Sequence, residues 1–250
     1  MVSILSAALL GLIAGLLPVY IGLLPIPLLK RFSPSTRSLL VSFSLGILLF
    51  LFADVTGEAI ESAKTTWQGS LLLLSGLALG LFIPGAISLR RGNEGKPGLS
   101  DAERERGVSL FPSYLISLGI GLHNLGEGLA LGAAYGSGQI SLTMLLVVGF
   151  TLHNGTEGLA ISGPLLENRV SLKEPLIMGF IAGFPTIIGS VIGSIAYSDL
   201  FGVLFFSLAS GALLFVVLEL ARRSRPSKGL YAGIVLGILV MYLTELLLSV

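Results

Sequence analysis

Eight apolar stretches, each long enough to cross a lipid bilayer, follow one another along this chain with little between them. They lie near 2–29, 37–60, 69–89, 111–135, 140–166, 175–197, 200–221 and 228–249. A transmembrane helix needs roughly 20 consecutive, mostly apolar residues. Soluble domains carry about a quarter charged residues, whereas this chain has 12% and a mean hydropathy of +0.93. The pattern predicts an all-α integral membrane protein with eight transmembrane helices. A membrane barrel would show strands of about ten residues with alternating polarity, and no such run occurs. Residues 1–20 lack a basic start, so they read as a first span and not as a cleaved signal. Pro18, Pro25 and Pro27 predict a kinked or broken end to that span.

The basic residues predict the orientation. Lys30, Arg31 and Arg37 follow span 1, and Arg90, Arg91, Lys96, Arg104 and Arg106 follow span 3. Arg169 and Lys173 join spans 5 and 6, and Arg222, Arg223, Arg225 and Lys228 join spans 7 and 8. These fourteen lie on one side, against Lys64 alone on the other. Cytoplasmic loops carry the excess of Lys and Arg, so both termini are expected outside (extracellular or periplasmic), in a multi-pass protein of the plasma or inner membrane. Residues 1–250 read as one transmembrane domain, with a flexible cytoplasmic loop at about 90–110 rich in Gly, Glu and Arg. The net charge of +1 carries no message about nucleic acid, and no basic aromatic patch suggests it.

Within this apolar sequence one motif occurs twice, thirty residues apart. His123-Asn124-Leu125-Gly126-Glu127-Gly128 lies in span 4, and His153-Asn154-Gly155-Thr156-Glu157-Gly158 lies in span 5. They hold the only two histidines of the chain. At about 100° per residue, Asn124 lies about 100° round the helix from His123, with Glu127 near 40° between them. Each carboxylate could thus serve its own histidine and its own asparagine. Both motifs fall near the middle of their spans, and Gly136-Ser137-Gly138 makes spans 4 and 5 antiparallel neighbours. If the two wedges face one another, all six side chains surround one point. Ionisable groups at that depth cost roughly 2.5–3.5 kcal/mol each on insertion scales and mark function by default. A bound dication offsets the carboxylate charge. Imidazole nitrogen with carboxylate or amide oxygen suits borderline divalent ions such as Zn2+, Fe2+, Mn2+ or Co2+. With no cysteine, thiolate ligation and disulfides are excluded. The neighbouring glycines permit close helix approach and local unwinding.

Other polar residues are fewer. Asp54, Glu58 and Glu61 follow at i, i+4 and i+7 along the outer half of span 2, either as an acidic ladder that gathers cations or as a solvated helix end. Glu219 could be an exit-side ligand or the partner of Arg222 or Arg223. Gly76-x-x-x-Gly80 could pack within the chain or against a second copy in a homodimer.

Eight spans, the basic loop after span 3 and the paired histidine motif together resemble the ZIP (Zrt-, Irt-like protein) family of divalent-metal transporters, most of all its prokaryotic members. The resemblance covers essentially the whole chain. It implies a transporter, not an enzyme, that imports divalent transition-metal ions as substrate, Zn2+ foremost and also Fe2+, Mn2+, Co2+ and Cd2+. It also implies a metal centre between spans 4 and 5 that a sliding bundle exposes alternately to the two sides. Carried over by residue, His123, Glu127, His153 and Glu157 match a first site, with Asp54 as its outer ligand. Asn124 and Asn154, with the glutamates bridging, match a second, so that one or two ions could bind. The departures are Gly126 and Thr156 where the family has proline in the motif, and Thr186 where it has a span-6 glutamate.

Two rival classes remain at this stage. An intramembrane metallohydrolase needs a metal-bound water and a separate base, usually from His-Glu-x-x-His on one helix. This chain has one histidine per helix and no spare base beside the ligand set. A metal-selective channel would differ from a carrier in showing unitary currents.

Overall fold

The computed structural model describes residues 3–29, 31, 33–63, 66–93, 101–166, 171–196 and 199–248. Among the described residues the chain forms eight long helices and no strand. They are α1 (Ile4–Leu28), α2 (Pro34–Ala63), α3 (Trp67–Asn93), α4 (Asp101–Gly136), α5 (Ile140–Leu165), α6 (Lys173–Ile195), α7 (Asp199–Arg223) and α8 (Lys228–Leu248). Helices α1, α2, α3, α5, α6 and α7 are long and apolar enough to cross a membrane by length and composition alone. Helix α4 is longer, but a charged first turn and the His-Asn-Glu motif dilute its apolar character. Helix α8 offers a shorter apolar stretch, Lys228–Thr244. Leu74, Phe82, Val235 and Tyr242 stand more than half exposed on the outer faces of α3 and α8, where an apolar surface suits lipid and not water. The protein is a multi-pass, all-α membrane protein.

One expectation changes. The loop expected over about 90–110 is helical at both ends, since α3 continues to Asn93 and α4 begins at Asp101. The run Asp-Ala-Glu-Arg-Glu-Arg is made of strong helix formers behind an acidic first residue. Its polarity decides that it lies outside the lipid, not that it is irregular. Residues 94–100 lie outside the described residues.

The helices sort into two bundles. In one, α4 packs on α6, α5 on α1, and α1 on α6; in the other, α8 packs on α2, α3 on α7, and α2 on α7. The bundles meet where α4 touches α7 and α5 touches α2. Exchanging α1 with α6, α2 with α7, α3 with α8 and α4 with α5 maps each of these pairings onto another or onto itself, so the two halves of the chain repeat one plan. Arg37, at the start of α2, donates to Leu166 O at 3.4 Å just past α5. Tyr20 Oη donates to Leu176 O of α6 at 2.8 Å. These contacts put the α1–α2 and α5–α6 connections at the same end, as the distribution of basic residues requires. Gly76 and Gly80 face α7, where Cβ atoms would meet Ser207 Oγ and Leu208 O at 1.9 and 2.2 Å. The small-residue face in α3 is therefore occupied within the chain.

Helix α1 is not a regular α-helix. Leu12–Leu16 is a π-helical segment in which the N–H of Leu17 reaches Leu12 O, five residues back. Pro18 follows directly. It has no N–H to return to Ala14 O, four residues earlier, so this carbonyl is released from the helix ladder in the middle of the bundle. Such bulges are tolerated in lipid only where another group satisfies the freed acceptor. In α6, Pro185 likewise cannot bond Ile181 O.

Candidate metal centre

Helices α4 and α5 are joined by a tight turn. Gly138 sits at φ 73°, the left-handed region that glycine enters without strain. The helices return antiparallel, and both run unbroken through their motifs. Of the two things these glycines permit, local unwinding is not used in these segments. The motif glycines act instead as points of close approach. A Cβ at Gly128 would lie 2.4 Å from Thr186 O of α6, and one at Gly158 would lie 2.3 Å from Val19 O of α1. Any larger residue would push a flanking helix away. Gly126 and Thr156 have other neighbours: Gly126 faces the Phe206 ring of α7, and Thr156 Oγ1 lies 2.6 Å from His153 O and 2.9 Å from Met241 Sδ of α8.

The six motif side chains are brought together, and all are buried. His123 Nε2 lies 3.3 Å from Glu127 Oε1 and 3.8 Å from Glu157 Oε1. His153 Nε2 lies 3.9 Å from Glu127 Oε1 and 3.6 Å from Glu157 Oε1. One edge of each carboxylate thus faces both imidazoles. The imidazole ring centroids are 5.5 Å apart, and the His123 ring leans on Phe206 at 6.1 Å. Ligand atoms of His123, Glu127 and His153 all lie within 4.8 Å of one another. Bonds of about 2.0–2.2 Å in a tetrahedral site place neighbouring ligand atoms about 3.3–3.6 Å apart. Of the four nitrogen–oxygen separations, the two within a helix, 3.3 and 3.6 Å, are of that size, and the two between helices, 3.8 and 3.9 Å, are slightly longer.

The other carboxylate oxygens meet amides, and the pattern is crossed. Asn124 of α4 donates from Nδ2 to Glu157 Oε2 of α5 at 3.1 Å, and to Ala182 O of α6 at 3.1 Å. Asn154 of α5 donates from Nδ2 to Glu127 Oε2 of α4 at 3.1 Å, and to Ala14 O of α1 at 3.0 Å. Ala14 O is the carbonyl that Pro18 leaves unbonded. A carbonyl oxygen only accepts, so the amide edge facing it is the NH2 edge. Both Asn Oδ1 atoms, the Nδ1 atoms of both imidazoles and Thr186 Oγ1 are buried without a hydrogen-bond partner among the described residues. Thr186 points at α1, where a Cβ on Gly15 would be 2.2 Å from its Oγ1.

Asp54 stands apart from this group. It is half-buried on α2, and it is outside the set of His123, Glu127 and His153 whose ligand atoms all lie within 4.8 Å of one another; Glu157 is outside that set as well, though its Oε1 lies 3.8 and 3.6 Å from the two Nε2 atoms. Glu58, one turn further along the same helix, is also half-buried, and Glu61 is exposed. Glu219 receives Arg222 Nη2 at 2.9 Å, which resolves its two sequence readings towards the i, i+3 ion pair. What the motif alone leaves hidden is the part played by the α1 and α6 backbones. The available signal is Pro18 at mid-span, four residues after the acceptor that it frees.

A buried cluster of two imidazoles and two carboxylates, with no cysteine, fits a borderline divalent ion. A comparison with curated proteins found no match. The family model described as ZIP Zinc transporter matches residues 87–245, well over half of the chain and all of the paired motif. With eight long helices among the described residues and a buried His/Glu cluster, the chain belongs to the ZIP zinc transporter family, whose members carry divalent metal ions across membranes and are not enzymes.

Proposed function

We propose that this protein imports a divalent transition-metal ion, Zn2+ first and Fe2+, Mn2+, Co2+ or Cd2+ beside it, across the plasma or inner membrane by alternating access. The observation that carries the reading is the convergence of His123 Nε2, His153 Nε2, Glu127 Oε1 and Glu157 Oε1 half-way along α4 and α5. These four groups take the place of the ion's water shell. Two neutral imidazoles and two carboxylates balance a dication, so the loaded centre adds little net charge to the lipid interior. Asp54 and Glu58 are half-buried carboxylate side chains further along α2 from the exposed Glu61, and in this reading they draw the ion inward. The bundle of α1, α4, α5 and α6 carries the centre and moves against α2, α3, α7 and α8. With fourteen basic residues on the inner side, both termini and the acidic run Asp54, Glu58 and Glu61 of α2 lie towards the outside, the side from which the ion enters in this reading.

Purified protein in liposomes, offered a panel of divalent ions, tests the reading. Saturable Zn2+ uptake that competing transition metals inhibit, and Ca2+ and Mg2+ do not, is expected. Those hard ions prefer all-oxygen sites. Unitary currents in planar bilayers would replace the carrier with a pore. The chain has no native cysteine, so a single cysteine at Ser3 gives a clean topology test. Labelling by an impermeant maleimide only from the cytoplasmic side would reverse the proposed direction.

A further inference from the structure

Where α2 starts, α7 ends and α8 starts, the three helices enclose a cavity of about 290 Å3, none of whose lining residues belongs to the metal centre. Its polar wall is Ser38 and Ser42 of α2, Ser224 and Arg225 just past α7, and Ser227 just before α8. The rest of the wall is apolar. Among the described residues no carboxylate or imidazole lines it, so it offers a divalent cation no charged ligand. Its size is near the lower end of the range for small-molecule sites.

What the wall does offer is donors. Arg225 carries five N–H groups and no acceptor, and it makes no ion pair among the described residues. Ser227 Oγ accepts the N–H of Leu230 at 3.1 Å, which leaves its own proton to donate. Ser42 and Ser224 return their protons to Ser38 O and Leu220 O, at 2.9 and 2.8 Å. Ser38, Arg225 and Ser227 are exposed, so the free donors stand at the mouth and come from three separate segments. One turn further along α8, a Cβ at Gly233 would lie 2.5 Å from Ser42 Cβ, so α2 and α8 close the cavity behind the serines.

We propose that this cavity binds a phosphate group, carried by an anionic phospholipid or free in solution. A planar guanidinium fork matches two phosphate oxygens, and hydroxyl protons meet the others. The setting favours the lipid. The connection 222–228 holds four basic residues, at the end of the bundle where the other basic connections lie. Basic pockets between membrane helices on that side take anionic headgroups. The apolar part of the wall suits the glycerol beneath the phosphate. A lipid seated there ties α2, α7 and α8 together, three of the four helices of the bundle that does not carry the metal centre.

Thermal melting of the full-length protein in a nonionic detergent tests this, with dihexanoyl phosphatidylglycerol, dihexanoyl phosphatidylcholine or inorganic phosphate added. Phosphatidylglycerol is expected to raise the melting temperature saturably. Phosphatidylcholine, whose choline cation the basic rim repels, is expected to leave it unchanged. Arg225→Gln should raise the half-saturating phosphatidylglycerol concentration about tenfold or more, the effect of losing a hydrogen bond to a charged group. Ser38→Ala, a second variant at an exposed hydroxyl, should raise it about two- to tenfold. Lys173→Gln removes the same charge from an exposed position on α6, outside the cavity, and should leave it unchanged. Inorganic phosphate that reproduces the shift and competes with phosphatidylglycerol would assign the site to the free anion. An equal response to phosphatidylcholine, no saturable response in wild type, or an unchanged response in Arg225→Gln would overturn the proposal. So would an equal loss in Lys173→Gln, which would mean diffuse surface charge and no site.

Discussion

In the bundle of α1, α4, α5 and α6, the buried polar groups include two histidines, two asparagines and two glutamates, each met by a group on another helix, beside hydroxyls such as Ser117 and Ser162 that bond within their own helices. In the bundle of α2, α3, α7 and α8, buried polarity is mostly hydroxyl, and most of these hydroxyls bond within their own helix, although Ser44 also reaches Leu159 O of α5 and Thr56 also meets Ser210 of α7. Ser42 donates to Ser38 O, Ser207 to Leu204 O and Thr56 to Phe52 O, all within their own helices. Around them lie Leu48, Leu51, Leu213 and Val216. A hydroxyl that bonds back to its own turn commits its helix to no neighbour. A buried amide or carboxylate has no such option, because leaving it unpaired costs several kcal/mol in a medium without water. One bundle is therefore specified by pairwise polar contacts that break singly. The other is held by apolar packing and close backbone approach, and it tolerates change.

That contrast can be broken or sharpened by substitution. Glu127→Ala is expected to reduce Zn2+ uptake in proteoliposomes to background while helicity and gel-filtration behaviour stay those of wild type; near-normal uptake would end the assignment of the centre. Gly158→Val forces a side chain to within 2.3 Å of Val19 O. It should destabilise the ion-carrying bundle by about 1–3 kcal/mol or more, seen as a lower melting temperature in detergent. An unchanged melting temperature would mean that α1 is not packed on α5 as described. Asp54→Asn, at the boundary of the two bundles, should raise the half-saturating Zn2+ concentration about three- to tenfold, as for a charge acting with about 1 kcal/mol, with the maximal rate kept. A fall in maximal rate alone would make Asp54 part of the moving centre and not of the approach to it. In the other bundle the effects shrink. Gly57→Ala adds a Cβ that meets nothing within 4 Å, and it should stabilise α2 by about 0.5–1 kcal/mol, since glycine is a poor helix former. Thr56→Ala removes the 2.6 Å contact between Thr56 Oγ1 and Ser210 Oγ. It should cost about 0.6 kcal/mol, the average for such bonds in membranes, with uptake retained. A large loss of transport from Thr56→Ala would show that the hydroxyl bundle is not the passive partner.

Much of the centre was legible before any coordinates. An antiparallel connection, a 3.6-residue period and a His-Asn-x-x-Glu spacing in two neighbouring spans are enough to bring six side chains to one place. The span boundaries were legible to a few residues, because lipid requires a nearly uninterrupted apolar run. The start of α4 was not, because polarity over residues 101–110 reports water and says nothing of helix or loop. Nor was the status of Asp54, since its depth in α2 follows from the sequence but its distance from the histidines depends on how α2 meets α5. The fate of Gly76 and Gly80 was equally open, as a small-residue stripe fits any close neighbour and only packing selects α7.

The sequence by itself determined the apolar solvent and the helical class, and it set the expected sidedness of the loops and the candidate metal-ligand set. Each of these follows from local quantities: transfer free energy per residue, charge per loop and angle per residue. Only the tertiary structure decided which edge of each carboxylate faces the histidines, and that the asparagines reach across to the other helix's glutamate while borrowing carbonyls from α1 and α6. A side-chain amide can turn either edge towards its own helix's neighbours. The choice is made by acceptors more than fifty residues away in the chain, and no local rule contains them.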